Sequence, residues 1–139
     1  MDQARHVFEE HVGEIQIRID APSLAELFGE AGRALAGLLI DPSQVDLLPE
    51  IPAEEVVVRS ADREALLADW LNELIFRAET RHCAFTDLLV TRISDREVRA
   101  RVKGVEIGYP RIAVKAATLH GLRIDERAGR CSATVVLDV

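Results

Sequence analysis

The residues of this chain best suited to chemistry are two groups of carboxylates, one near each end of the sequence. Residues 131–139 (CSATVVLDV) predict a strand that ends at Asp138 beside the terminal carboxylate of Val139. The second group is the cluster EEHVGE at 9–14, just before an alternating pattern that begins at Ile15. Anionic groups held close together on rigid strands need a cation, a hydrogen-bond donor or water. A sheet that pairs the first and last strands would bring both groups together.

The acidic cluster around His11 has two interpretations. Carboxylate and carbonyl oxygens are the ligands that Ca²⁺ and Mg²⁺ prefer, and strand ends can hold them in a rigid geometry. A run of glutamates is also typical of a solvated segment at the start of a strand. His11 and His120 have no nucleophile or base partner at a recognisable spacing, so a structural role is the alternative to a catalytic one.

The elements that could position these carboxylates follow from hydrophobic periodicity and capping residues. Ile15, Ile17 and Ile19 alternate with polar residues, which predicts a half-buried strand. Ser23 and Asp62 are caps that precede apolar residues at helical spacing, so two helices are expected. Six or seven strands are predicted, at 15–19, 56–58, 85–93, 98–103, 112–116, 122–124 and 131–139. This set predicts an α+β domain with two helices packed on one face of a mostly antiparallel sheet.

Size and charge narrow the class of protein. The 139 residues are 48% hydrophobic, which predicts a single domain over residues 1–139. The formal net charge of -7 argues against broad electrostatic binding of nucleic acid, so any RNA contact would be local or made through a partner. Arg99, Arg101 and Lys103 form a basic ladder that could touch phosphate, although a charged solvent-facing side is ordinary for an antiparallel strand.

The sequence carries no signal for a membrane or for secretion. No apolar run approaches the roughly 18 to 20 residues that span a bilayer. Residues 1–6 lack the apolar core of a signal peptide, so a cytoplasmic location is predicted. Cys83 and Cys131 have no close-spaced partner, which predicts two reduced and buried thiols.

Common catalytic motifs are missing from the sequence. It contains no nucleophile elbow, phosphate-binding glycine loop, dinucleotide turn or zinc-protease helix. An enzyme is therefore not predicted. A hydrolase hypothesis would use Glu10, Glu14 and Asp138 as acid and base with a metal-bound water, but no pocket motif accompanies these carboxylates.

A family resemblance is carried by five segments in order, at 8–15 (FEEHVGEI), 23–28 (SLAELF), 66–74 (LLADWLNEL), 114–122 (VKAATLHGL) and 136–139 (VLDV). The first resembles an opening aspartate-histidine-threonine-alanine-aspartate signature, and the fourth a lysine-alanine-valine-threonine-tyrosine-histidine segment. In order and spacing the set resembles the archease family, whose members assist the RNA ligase that joins tRNA halves during splicing. The resemblance covers nearly the whole chain.

The resemblance implies a non-enzymatic accessory protein that binds a divalent cation, typically Ca²⁺. It also implies that the protein promotes guanylylation and turnover of an RNA ligase by protein contact, with RNA involved only indirectly and no membrane partner. Carried over position by position, the metal ligands are Glu14, Asp138 and Val139. An alternative is a protein-binding or chaperone-like module of the same fold that has no ligase partner.

The chain departs from the family pattern in its opening signature. Glu10 and Glu14 replace the two aspartates, and Val12-Gly13 replaces the threonine-alanine pair. Each carboxylate would then reach about one methylene further, and a hydroxyl is lost. Leu119 stands where the family has a tyrosine. Metal affinity or metal choice could therefore differ from that of the family.

Overall fold

The computed structural model describes residues 3–139, and residues 1 and 2 of the predicted domain lie outside the described part. Within that part, two α-helices, one short 3₁₀ helix at Pro42–Leu47 and seven strands follow one another along the chain. In chain order the strands and α-helices are β1 (Arg5–His11), β2 (Glu14–Ala21), α1 (Leu24–Leu39), β3 (Glu54–Arg59), α2 (Arg63–Arg81), β4 (Cys83–Ile93), β5 (Glu97–Glu106), β6 (Ala116–Arg127) and β7 (Arg130–Asp138).

Both α-helices begin at the caps that the sequence predicts. The hydroxyl of Ser23 accepts a hydrogen bond from the backbone N–H of Glu26 at 3.2 Å, and the carboxylate of Asp62 accepts one from Ala65 at 2.8 Å. These bonds satisfy N–H groups that have no partner within the first helical turn. At its other end α2 stops at His82, whose φ of 52° is left-handed.

The strands form two antiparallel sheets that share the helices. Sheet A has the order β1-β2-β7-β6 and sheet B the order β3-β5-β4. Helix α1 contacts β2 and β4, whereas α2 contacts β6 and β3, so each helix packs on both sheets. The buried indole of Trp70 links the helices by donating to the carbonyl of Phe28 at 2.9 Å. The predicted α+β class with mostly antiparallel strands is confirmed, and the strands divide between two sheets.

Two strand predictions were wrong in detail. Strand β1 was missed because almost every one of its residues is exposed, so it has no alternation of apolar and polar residues. The segment 112–115 was expected to be a strand but lies across the end of α1. There the N–H groups of Arg111 and Ile112 donate to the carbonyls of Leu39 and Leu38. Carbonyls at a helix end lack partners within the helix, so this segment serves as their cap.

The two cysteines are free and buried, as predicted. Burial raises the pKa of the Cys83 thiol to about 11 and that of Cys131 in the same direction. Both groups are therefore thiols rather than thiolates at neutral pH. Within residues 3–139, no helix combines the length and the apolar character needed to cross a bilayer.

Candidate functional site

The first two strands and the last strand of the chain are neighbours in sheet A, where β2 lies between β1 and β7. In the antiparallel register Glu14 pairs with Asp138 of β7 and with His11 of β1. The N–H of Val139 donates to the carbonyl of Gly13 at 3.0 Å, which places the chain end beside the β1–β2 turn. The predicted pairing of the opening and closing segments is confirmed.

The side chains of His11, Glu14 and Asp138 lie on the outer face of sheet A. Their neighbours along the strands, Ile15 and Leu137, are buried against the helices, and successive residues of a strand point to opposite faces. His11, Glu14 and Asp138 therefore form one row across three strands, which we call the acidic row. Directly opposite carboxylates such as Glu14 and Asp138 repel each other.

The donor set of the acidic row suits a hard cation. Glu14 and Asp138 are half-buried, and in the described part of the chain neither carboxylate has an ion pair or a side-chain hydrogen bond. Carboxylate oxygens of this kind are the usual ligands of Ca²⁺ and Mg²⁺. Within residues 3–139, however, no three His, Cys, Asp or Glu side chains converge as a preformed metal cluster. A cation here would need further oxygens beyond those of the two carboxylates.

One of the three carboxylates of the hydrolase hypothesis, Glu10, does not share a face with the other two. Glu10 pairs with Ile15 of β2, so it lies on the side of sheet A opposite Glu14 and Asp138. An acid and a base on opposite faces of one sheet cannot act on the same bond. The geometry therefore removes Glu10 from this set and leaves Glu14 and Asp138 together on one face.

The basic ladder of β5 is largely neutralised within sheet B. Arg99 pairs with Glu97 at 3.0 Å, and Lys103 lies 3.6 Å from Asp87. The hydrogen bond that Arg99 donates to Glu97 raises the pKa of Arg99. The ladder is thus a solvated charged face, the alternative that the sequence left open.

A part-buried side-chain contact between β1 and α1 was not foreseen from the sequence. Glu30 is a buried helix carboxylate that lies 2.6 Å from Nδ1 of His6 and accepts a hydrogen bond from Arg33 at 3.0 Å. A glutamate among the apolar residues of a helix was the available signal. His6 could not be proposed as the partner of Glu30, because strand β1 was not predicted.

A cleft of about 630 Å³ opens beside the acidic row. Its walls come from the ends of α1 and α2 and from the segment 107–115, and they include Leu39, Ile75 and Tyr109. Lys115 stands at this cleft, and its N–H donates to the carbonyl of Asp138 at 2.8 Å. The backbone at Lys115 therefore joins one wall of the cleft to the end of β7.

Comparison with known proteins identifies relatives along nearly the whole chain. A profile of the Archease protein family matches residues 7–139. The Methanopyrus kandleri protein archease is 32% identical, with 94% of this chain and 96% of the relative covered. The Methanosarcina mazei protein archease is 29% identical over 97% of this chain and 96% of its own.

Two solved structures are similar to this chain. The solution structure of Methanobacterium thermoautotrophicum protein 1598 has a TM-score of 0.75 and 27% identity, with both chains covered completely. The crystal structure of a Thermotoga maritima archease, described as a possible chaperone, has a TM-score of 0.69 and 20% identity over 94% of each chain. At that identity the second likeness shows the shared fold alone.

Proposed function

This chain belongs to the archease family, and from that premise we propose that it is an accessory protein that binds a divalent cation, Ca²⁺ by preference, and activates an RNA ligase by protein contact. The observation that carries the proposal is the register that sets Glu14 opposite Asp138 beside the chain end. The proposal includes a cytoplasmic location and a non-catalytic role.

In this proposal the cation is held by oxygens of Glu14, Asp138 and the Val139 terminus. The cation would supply positive charge between carboxylates that otherwise repel each other across two paired strands. Backbone pairing of β1, β2 and β7 would hold the ligands from the two ends of the sequence close together. The partner contact would use the adjoining cleft, which offers apolar walls and the exposed Lys115.

Metal binding is tested by thermal melting with and without CaCl₂. A ligand that binds only the folded state raises its stability in proportion to RT ln(1 + [L]/Kd), about 2.7 kcal/mol at a hundredfold excess over Kd. We expect this increase for the natural protein and its loss in Glu14→Gln and in Asp138→Asn. Glu10→Gln is the matched control, because Glu10 is a glutamate of the same hairpin on the opposite face. Equal increases in stability on addition of calcium in Glu14→Gln and Glu10→Gln would rule out the acidic row as the calcium site.

Ligase activation is tested separately by measuring guanylylated ligase with and without this protein at saturating metal. We expect more guanylylated ligase with the natural protein and a smaller increase with Asp138→Asn. No increase over ligase alone would count against the ligase role and would favour a protein-binding or chaperone-like module of the same fold. The apolar walls of the cleft beside the acidic row are the observation that favours this second candidate.

A further inference from the structure

A second row of polar residues crosses the outer face of sheet A, on the same side as the acidic row. Thr134 of β7 pairs with Arg18 of β2 on one side and with Arg123 of β6 on the other. We call these three residues the arginine row. Asp138 lies four residues after Thr134 along β7, so the two rows are about 13 Å apart.

The arginine row lines a groove of about 440 Å³. The groove is formed by strands from both ends of the chain, and Ser132 of β7 also lines it. Neighbouring strands lie about 4.8 Å apart, so the two arginine backbones stand about 10 Å apart with Thr134 between them. Long side chains from either side can therefore meet over a single hydroxyl.

The position of Arg123 depends on an irregularity in β6. Thr118 pairs with Val136, and the next pair in the register is Arg123 with Thr134. Between these two pairs β6 covers five residue steps and β7 covers two. The extra residues include Gly121, whose φ of 69° is left-handed and open to glycine at little cost. Bulges of this kind redirect side chains. Here the bulge places Arg123 on the same face as Thr118.

Three arginines and two aspartates line the groove, an excess of one positive charge in a chain whose formal net charge is -7. Arg18 has one exposed ion pair, with Glu9 at 3.0 Å, and Arg123 has none within residues 3–139. At the far end of the groove Asp20 is bound by Arg5 at 3.2 Å and by Arg130 at 3.1 Å. Exposed single ion pairs are weak and exchange easily for a better partner.

We propose that the arginine row binds a phosphate group. Two guanidinium groups and a hydroxyl between them match the oxygens of phosphate, because each planar guanidinium can donate two parallel hydrogen bonds. The group could be a free phosphate ion or a phosphodiester of RNA, which share this chemistry. The inference does not depend on the cation or on a ligase.

The test uses the full chain and two probes, inorganic phosphate and a fluorescein-labelled oligouridylate. Phosphate is followed by amide chemical shifts, and we expect the largest changes at residues 18, 123 and 134. Oligouridylate is followed by fluorescence anisotropy at several salt concentrations. Response to oligouridylate alone would assign the site to a phosphodiester, and response to phosphate alone would assign it to the free ion.

The informative variant is the double change Arg18→Gln with Arg123→Gln. We expect about tenfold weaker binding of the responding probe, since charge-assisted hydrogen bonds are lost. For oligouridylate the slope of log K against log salt should fall by about 0.7 for each lost phosphate contact. The matched control is Arg96→Gln with Arg101→Gln, two exposed arginines that have no ion pair in the described part of the chain. The control should change binding less than twofold.

Replacement of Asp125 should change the affinity for the probe in the opposite direction to the arginine variants. This exposed acid lies in the same groove, two residues beyond Arg123, and repels an anion. Asp125→Asn should therefore tighten binding about twofold to threefold.

No binding of either probe would overturn the proposal. Equal weakening by the two double variants would also overturn it, because it would show a general effect of net charge.

Discussion

The two edges of sheet A are treated differently by the rest of the molecule. At the β6 edge, backbone groups that no strand can pair are bound by side chains of α2. Asn72 accepts from the N–H of Ala117 at 2.8 Å and donates to its carbonyl at 3.0 Å. Further along, Glu64 accepts from the N–H of Ile124 at 3.0 Å, and Arg63 donates to the carbonyl of Ile124.

In the part of the chain that the structure describes, residues 3–139, no comparable side chains cover the β1 edge. Six of its seven residues are exposed, and the part-buried His6 contacts Glu30 of α1. An uncovered strand edge can pair with another chain, whereas a covered edge cannot. The difference shows that α2 protects one edge of the sheet, and that the other edge depends on its pairing with β2 and on a few ion pairs.

The largest effect is expected at the covered edge, for Asn72→Ala. The change leaves both backbone groups of Ala117 without their partner in a part-buried position. Each unsatisfied buried polar group costs about 1–3 kcal/mol, so we expect a loss of about 2–3 kcal/mol. Urea unfolding measures it, and Glu9→Ala on the open edge should cost less than about 0.5 kcal/mol. Similar losses in the two variants would contradict the contrast between the edges.

A smaller effect is expected for Glu64→Ala, which removes one acceptor from the same edge. One hydrogen bond from a backbone N–H to a carboxylate contributes about 1 kcal/mol to the free energy of unfolding. Glu64→Gln keeps an acceptor in place and should recover most of this loss. If glutamine were as destabilising as alanine, the effect would arise from charge near the start of α2 rather than from the strand edge.

The smallest effect is expected for the contribution of Asp20, near the open edge, to the loss of stability at low pH. Hydrogen bonds from Arg130 and Arg5 hold the pKa of Asp20 below its usual value of 3.8. A carboxyl whose pKa is lower in the folded state adds stability above the pKa of the unfolded chain, and this stability is lost as pH falls through the folded value. The Asp20→Asn protein should therefore lose less stability than the natural protein as the pH falls below about 4. Because Asp20 is partly exposed, we expect a difference below about 1 kcal/mol.

The candidate site was predictable only in part. The residues themselves indicated an acidic cluster at 9–14 and an aspartate at the end of the last strand, and the family resemblance singled out Glu14 and Asp138 among them. That they pair directly was a consequence of sheet order, since residues 124 positions apart can meet only when β2 and β7 are neighbours. His11 was noted for its type, but its place in the acidic row required β1, which has no hydrophobic pattern.

The sequence by itself determined the local elements of this protein. The caps at Ser23 and Asp62 and the alternation of Ile15, Ile17 and Ile19 depend on neighbouring residues only, so they can be read from the order of amino acids. Only the tertiary structure decided which strands are neighbours and which side chains share a row. Arg123 faces Thr134 because a bulge in β6 changes the alternation, and that bulge is defined by pairing with β7 rather than by local sequence.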